Sequence, residues 1–443
     1  MSHSTRGYKV YFLTLLASIL TFSYVDRLTL GIVLQNVKSD LRLTDTQLGF
    51  LGGIAFALFY AVMGIPIARW ADRGNRVTII SVTVALWSGA VALCGAAASF
   101  TQLLLVRVGV GVGEAGCIPP AHSLIAETFA REERPRAMSR YMLGMPLSVV
   151  VGYFASGWLN EFFGWRVTFA CVGLPGLILA ALAALTLKEP RKFRTQLRAT
   201  KVARDPEVHS VPSFRDVCAT LWGNTTFRHL LVAFSVWYFF AYGLLQWTPA
   251  FFIRSHGIAT GELGTWFAIS LGLGGLLAVY AGGELAARFA AGNERLQLIG
   301  CAISFMFFAL LNICAFLAPN RYVALAAMGL AYFGGNLVQG PMLATIQTLI
   351  RSDMRAVSIA LLYMFGNLIG MGFGPLAAGA LSDFFHHWFG QESLRYALVF
   401  LCPGYFWAAW HVWRASRTVM RDLPPTHEAG NTPFEEDVIE PTW

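Results

Sequence analysis

Charge is what this sequence has least of. Lys, Arg, Asp and Glu make up 13% of its 443 residues, about half the roughly 25% of an ordinary soluble domain, and that shortage excludes a soluble enzyme. Cysteine offers no framework. Cys94, Cys117, Cys171, Cys218, Cys301, Cys314 and Cys402 show no Cys-x-x-Cys spacing and mostly lie inside apolar runs, where a thiol behaves as a small hydrophobe. Neither disulfides nor a metal site is indicated, and no cofactor is expected. Acidic residues number 25 against 33 Lys and Arg, for a net charge of +8. The surplus is spread along the chain rather than gathered on one domain, which argues against nucleic acid as a partner. A signal peptide is also missing: the first apolar segment, from about Tyr8 to Val37, is too long and has no convincing small-residue cleavage site, so it reads as a retained first helix.

Apolar length is what the chain has in abundance. Hydrophobic residues reach 56%, and apolar runs of 18 or more recur from Tyr8 to Ser416, where about 20 such residues cross a hydrocarbon core of about 30 Å. Twelve spans are expected, near 8–36, 44–70, 77–98, 101–129, 137–163, 167–187, 228–253, 261–287, 294–318, 321–350, 356–382 and 393–415. The fold class is therefore an all-α polytopic membrane protein. With the N-terminus inside, 25 Lys and Arg fall in cytoplasmic segments and six in external loops (Lys38, Arg42, Arg166, Arg254, Arg321, Arg395), while Arg27 and Arg107 stay in the membrane. That bias predicts both termini in the cytoplasm; a bacterial inner membrane is the expected location.

An internal repeat divides the spans. Gly144, Gly152, Ala155, Gly157, Leu159, Glu161, Phe162 and Phe163 reappear half a chain length later, in the same order and spacing, as Gly366, Gly374, Ala377, Gly379, Leu381, Asp383, Phe384 and Phe385. Arg136-Ala137-x-Ser139 likewise matches Arg355-Ala356-x-Ser358, making helices five and eleven equivalent. Two parallel six-helix halves with a site between them are a main transporter plan. The expected division is a first half over 1–187, a cytoplasmic linker over 188–227, a second half over 228–415 and an acidic, disordered tail over 416–443. The basic linker reads as topology and attraction to anionic membrane lipid.

Four charges lie in the membrane, all in the first half. Helix one carries Tyr24-Val-Asp26-Arg27, and helix four runs from Arg107 through Gly109, Gly111 and Gly113 to Glu114, then to Pro119-Pro120. Arg107 and Glu114 are seven apart, about two turns, and share a helix face. The prolines remove two amide donors and release the carbonyls of Ala115 and Gly116, weakening the helix near midplane. Counting about 1.5 Å per residue puts Asp26 about 25 Å from its cytoplasmic start and nearest in depth to Arg107. Charges so placed should face a wet cavity or pair across helices, and a static structural cluster is the competing reading. Helices seven to twelve offer Gln246, Asn312, Asn336, Gln339 and Asn367 instead. Tyr238, Tyr242 and Trp247 in helix seven are candidate cavity walls, with core packing the leading role for each.

Between helices two and three runs Gly64-Ile-Pro-Ile-Ala68-Arg-Trp-Ala-Asp72-Arg73-Gly-Asn75-Arg76. Asp72 is suited to cap helix three, with Arg73 and Arg76 at the cytoplasmic surface and Glu127 as the acidic partner to look for. This resembles the loop signature of the major facilitator superfamily, in which the loop latches the cytoplasmic side. Together with Asp26-Arg27 and the run from Arg107 to Ala115, it is similar to the Spinster-like branch, in which Asn stands at position 75. The resemblance implies alternating access around a central site. Asp26 and Glu114 would carry protons, Arg27 and Arg107 would meet substrate, and Asp72, Arg73, Arg76 and Glu127 would form the cytoplasmic gate. It further implies an amphipathic, lysolipid-like or sphingoid-like anion as substrate. A proton symporter for small organic or aromatic anions remains open, and a monomer is expected. A membrane enzyme would need more than the neighbouring His386 and His387, and a channel or sensor is a third class.

Overall fold

The computed structural model describes residues 5–130, 132–189, 214–351 and 354–423. Among them, ten segments are long and apolar enough to cross a bilayer. Two of the ten are double. Arg134–Thr186 and Val357–Asp422, at 53 and 66 residues, would extend about 80 and about 100 Å as single helices, far more than a membrane holds. The first turns back at Gly164, whose φ of 76° is a left-handed conformation that only glycine adopts without strain. Before that corner Asn160 bonds Asn36 at the far end of helix one; after it Tyr11, near the beginning of helix one, bonds Thr186. The second turns at Gly390–Glu392, so that Ser382 meets Ser393 across the corner and the chain returns until Asp422 binds Thr226.

Divided at these two corners, the ten segments give twelve helices among the described residues. Helix one is Arg6–Leu41, helix two Asp45–Gly52 with Ile54–Arg73, helix three Arg76–Cys94, and helix four Phe100–Glu114 with Ile118–Thr128. Helix five begins at Arg134–Met142 and continues from Gly144 to the Gly164 corner, beyond which helix six runs to Thr186. A short helix, Phe214–Gly223, precedes helix seven, Thr225–His256. Helix eight is Thr260–Phe267 and Gly274–Phe289 joined by a π-helical turn, helix nine Glu294–Leu317, and helix ten Arg321–Leu337 with Gln339–Leu349. Helix eleven is Arg355–Phe365 and Gly372–Phe389, again joined by a π-helical turn, and helix twelve Ser393–Leu401 with Gly404–Asp422. Helix twelve thus runs past its expected end at 415, into the segment expected to be a tail. Most of the 188–227 linker and of the tail lies outside the described residues.

Composition explains the packing. Helix three sits against helix six, and helix five against helix one, through small residues, the usual means of close approach where lipid supplies no hydrophobic drive between helices. The Gly-rich run of helix four works in this way: Gly111 lies against the Phe56 backbone and Gly113 against Trp87. Large apolar side chains cover the outside instead, Leu105, Phe162, Ile303 and Leu310 among them, a surface that only lipid can solvate.

The halves meet at one end. At the face opposite Arg6, helix two crosses to helix eleven, helix five to helix eight and helix one to helix seven. Among the described residues, hydrogen bonds and ion pairs joining the halves lie there, apart from Arg27 to Met371 at mid-depth. Toward the basic face, Val62 and Ile65 of helix two, Leu147 of helix five and Tyr280 of helix eight are exposed, so the molecule is closed at the far face and splayed at the basic one.

Candidate functional site

The four membrane charges come together as two crossed pairs between helices one and four. Arg107 Nη1 donates to both carboxylate oxygens of Asp26, at 3.1 and 2.8 Å, the partner that depth counting gave. Arg27 donates from Nε and Nη2 to one oxygen of Glu114, at 2.9 and 2.6 Å. Helix periodicity accounts for the crossing: adjacent Asp26 and Arg27 point about 100° apart, while Arg107 and Glu114 stack two turns apart on one face. Helix four breaks between Glu114 and Ile118, and Pro119 and Pro120 occupy the first turn of its second segment, where a missing amide hydrogen costs little.

The two pairs differ in surroundings. Asp26 and Arg107 are sealed, with side chains 0% and 2% exposed, whereas Arg27 is 17% exposed beside a Glu114 exposed only 1%. Glu114 Oε1 is buried with no hydrogen-bond partner among the described residues. The Arg27 guanidinium also lies 4.7 Å from the rings of Tyr24 and Phe56 and 5.2 Å from that of Tyr60, an aromatic cage that favours a desolvated cation.

Arg27 and Arg107 face a cavity of about 60 Å³ lined further by Phe56, Tyr242, Gln246, Met371 and Pro375. That is room for a few waters at the closed end of the inter-half space. A larger hollow of about 760 Å³ lies elsewhere, on the far face between Asn36, Asp40, Asn160, Arg166 and Thr260. It is open and away from the cluster, so the smaller cavity is the one tied to the chemistry. Tyr242 is a wall of it. Tyr238 stands one turn away, stacked on Phe234 at 4.3 Å and edge-on to Tyr242 at 5.5 Å. Trp247 is not a wall: it is fully buried, and its Nε1 donates to the Pro375 carbonyl at 2.8 Å in the far-face closure.

At the basic face the expected cap is corrected. Asp72 lies in the last turn of helix two, and helix three is capped by Asn75, whose side chain accepts from the Thr78 amide; the cap belongs to the residue just before the first turn. The side chain of Asp72 is outside the described part. Arg73 is exposed, while Arg76 is fully buried and donates to Glu127 at 2.6 Å, to Glu189 at 2.6 Å and to Ser123 at 2.7 Å. Helices three and four and the end of helix six are thereby joined within the first half. Close by, Lys9 binds Glu133 at 2.6 Å and holds that carboxyl below its usual range.

Sequence reasoning missed the far-face clasp. Asp45, at the start of helix two, accepts from both Nη atoms of Arg254, from Lys38 and from Ser382. Arg254 and Lys38 counted only as loop charges. The one available signal was Glu161 and Asp383 recurring in the repeat.

Two half-bundles closed at one end around a buried, charge-balanced cluster define a membrane transporter rather than an enzyme. The chain belongs to the Major Facilitator Superfamily, whose sequence profile matches residues 16–375. It is Spinster-like within that family. A crystal structure of a bacterial homologue of the human lysosomal transporter Spinster, inward-facing and unoccupied, superimposes with a TM-score of 0.84 over 96% of this chain and 100% of that one, at 28% identity. An MFS-type efflux pump of Mycolicibacterium smegmatis is 31% identical over 413 residues, 92% of each chain. A probable L-galactonate transporter of Escherichia coli is 26% identical over 386 residues, 85% of this chain and 82% of its own.

Proposed function

We propose that the chain is a proton-coupled secondary transporter that works by alternating access and moves an amphipathic anion across the bacterial inner membrane. The basic face is cytoplasmic, so the conformation described is inward-open. The observation that carries this reading is charge balance. Two arginines and two carboxylates already neutralise each other, so an anion gains a cation only if a carboxylate takes up a proton. Glu114 is suited to that role, because its unpartnered Oε1 can accept a proton and Arg27, its partner, opens on the cavity. Protonation frees Arg27 for the anionic head, and deprotonation recaptures it. Asp26 and Arg107 form a second, sealed carrier pair that the opposite conformation would unseal. Proton and anion then bind together, and their joint preference for one state drives the rocking of the halves. Asp72, Arg73, Arg76 and Glu127 would close the cytoplasmic side in the other state.

Leu28, Phe56, Leu245, Met371 and Tyr242 around the arginines suit an apolar tail. A second reading, a small organic anion, is favoured by the cavity's 60 Å³ and by the relative named for L-galactonate. Counterflow in proteoliposomes separates the two. Long-chain lysophosphatidylglycerol should compete well and galactonate poorly; equal competition by galactonate would favour the second reading. Orientation is checked in a cysteine-free background, where cysteines at Ser39 and Gln391 should label from outside and one at Thr195 only after permeabilisation.

A further inference from the structure

The far-face closure contains the same device twice. In helix five, Glu161 accepts from the Thr260 amide at 2.9 Å, from the Thr260 hydroxyl at 3.1 Å and from the Gly261 amide at 3.5 Å. In helix eleven, Asp383 accepts from the Asp45 amide at 3.0 Å, the Thr46 amide at 2.7 Å and the Thr46 hydroxyl at 2.6 Å. Each carboxylate therefore caps the first turn of a helix in the opposite half: helix eight for Glu161, helix two for Asp383. One turn before each stands a glycine, Gly157 or Gly379, and a Cβ there would lie 2.5 Å from the Thr260 carbonyl oxygen or 2.2 Å from that of Asp45. Both glycines and both carboxylates are matched members of the internal repeat.

We infer that Glu161 and Asp383 are paired positioning residues for the transport cycle, two symmetry-related latches that hold the outer side shut only in the inward-open state. A helix first turn presents unpaired amides and the positive end of its dipole, so a carboxylate seated there is stabilising. Here the amides and the carboxylate belong to different halves, so separation of the outer ends breaks the interaction by geometry. Glycine one turn away lets the backbones come close enough for the carboxylate to reach. The latches are unequal. Asp383 is half-buried and adjoins the Asp45 clasp with Arg254 and Ser382, whereas Glu161 is exposed, and exposure weakens a charge interaction through solvent screening.

This inference needs alternating access but neither proton coupling nor a particular substrate. Its test is double electron–electron resonance on the full chain in nanodiscs, without substrate, in a cysteine-free background. One spin-label pair, at Ser39 and Gln391, reads the outer side; another, at Thr78 and Arg295, reads the inner side. Asp383→Ala should raise the outward-open to inward-open ratio about fivefold to tenfold and Glu161→Ala about twofold to threefold, in keeping with the worth of one helix cap. The double variant should exceed either, while Asp383→Glu, which keeps the acceptor, should stay near wild type. Lengthening of the outer distance must be matched by shortening of the inner one. Wild-type distances in the double variant would overturn the proposal, as would an outer distance that lengthens alone, which is local fraying. Because the readout involves no proton gradient, it succeeds or fails independently of Glu114.

Discussion

The two halves share a fold and part of a sequence, but they divide the chemistry. The first half holds every charge of the buried cluster, Asp26, Arg27, Arg107 and Glu114. In the second half the repeat puts Asn336 at the position equivalent to Glu114, and Pro341 at the position equivalent to Pro119. The helix break is kept and the charge is not: helix ten is interrupted at Val338 much as helix four is between Glu114 and Ile118. Asn336 spends its amide on the Tyr332 carbonyl of its own helix at 2.9 Å. The second half instead has π-helical turns in helices eight and eleven, the latter carrying Met371 against Arg27; such turns are a common local device at functional sites. A repeat can thus preserve the parts that bend while confining the mid-membrane ion pairs to one half.

The contrast breaks most readily at the carboxylates. Glu114→Gln and Asp26→Asn should each lower pH-gradient-driven accumulation in proteoliposomes by more than about tenfold, at least one of them still binding substrate, because a fixed neutral group cannot cycle a proton. Asn336→Ala in the second half should keep that accumulation. Equal loss in Asn336→Ala would erase the distinction between the halves.

A second contrast lies at the basic face. Arg76→Gln takes away a fully buried guanidinium that donates to Glu127, Glu189 and Ser123, and loss of a buried charge-assisted network is among the larger destabilising changes. A clear drop in Tm is therefore expected from thermal shift. Arg288→Gln, in the last turn of helix eight, loses an exposed pair with Glu284 one turn away and should stay within about 0.5 kcal/mol. Asp72→Asn should slow transport with expression intact, since a state-specific latch acts on one conformation rather than on folding.

Smaller effects are expected in helix seven. Tyr242→Leu should raise the apparent KM for a long-chain anion a few-fold, because Tyr242 lines the cavity. Trp247→Phe should leave KM unchanged and lower stability by about 1 kcal/mol, the usual net worth of its one hydrogen bond to Pro375. A KM shift for Trp247→Phe as large as that for Tyr242→Leu would return Trp247 to the cavity wall.

What the sequence made legible follows from periods and depth. Apolar length predicted the spans, the internal repeat made helices five and eleven equivalent, and the constant rise of a helix matched Asp26 with Arg107 in depth. Helix ends were less legible, because Arg-rich and Trp-rich turns such as Trp407 to Asp422 continue a helix without being apolar. Of the clasp around Asp45, only the recurrence of Asp383 in the repeat was legible. The clasp's members are 7 to 337 residues apart, and a polar residue next to a turn carries the same pattern whether it meets water or the opposite half. Of the two roles open to Trp247 the structure gives it packing: helix seven has one face toward the cavity and another toward helix eleven, and aromatic content does not distinguish them.

The most direct test is to count the protons that accompany one anion. Binding of long-chain lysophosphatidylglycerol to the protein in nanodiscs, measured by calorimetry in buffers of different ionisation enthalpy, yields that number. If Glu114 must be protonated to release Arg27, about one proton is taken up per singly charged anion where Glu114 starts ionised. Affinity should then rise as pH falls, by up to about tenfold per pH unit, and Glu114→Gln should bind with no proton uptake and a flat pH profile. Uptake of no proton by the wild type, or unchanged uptake in Glu114→Gln, would contradict the coupling of proton and anion through this pair.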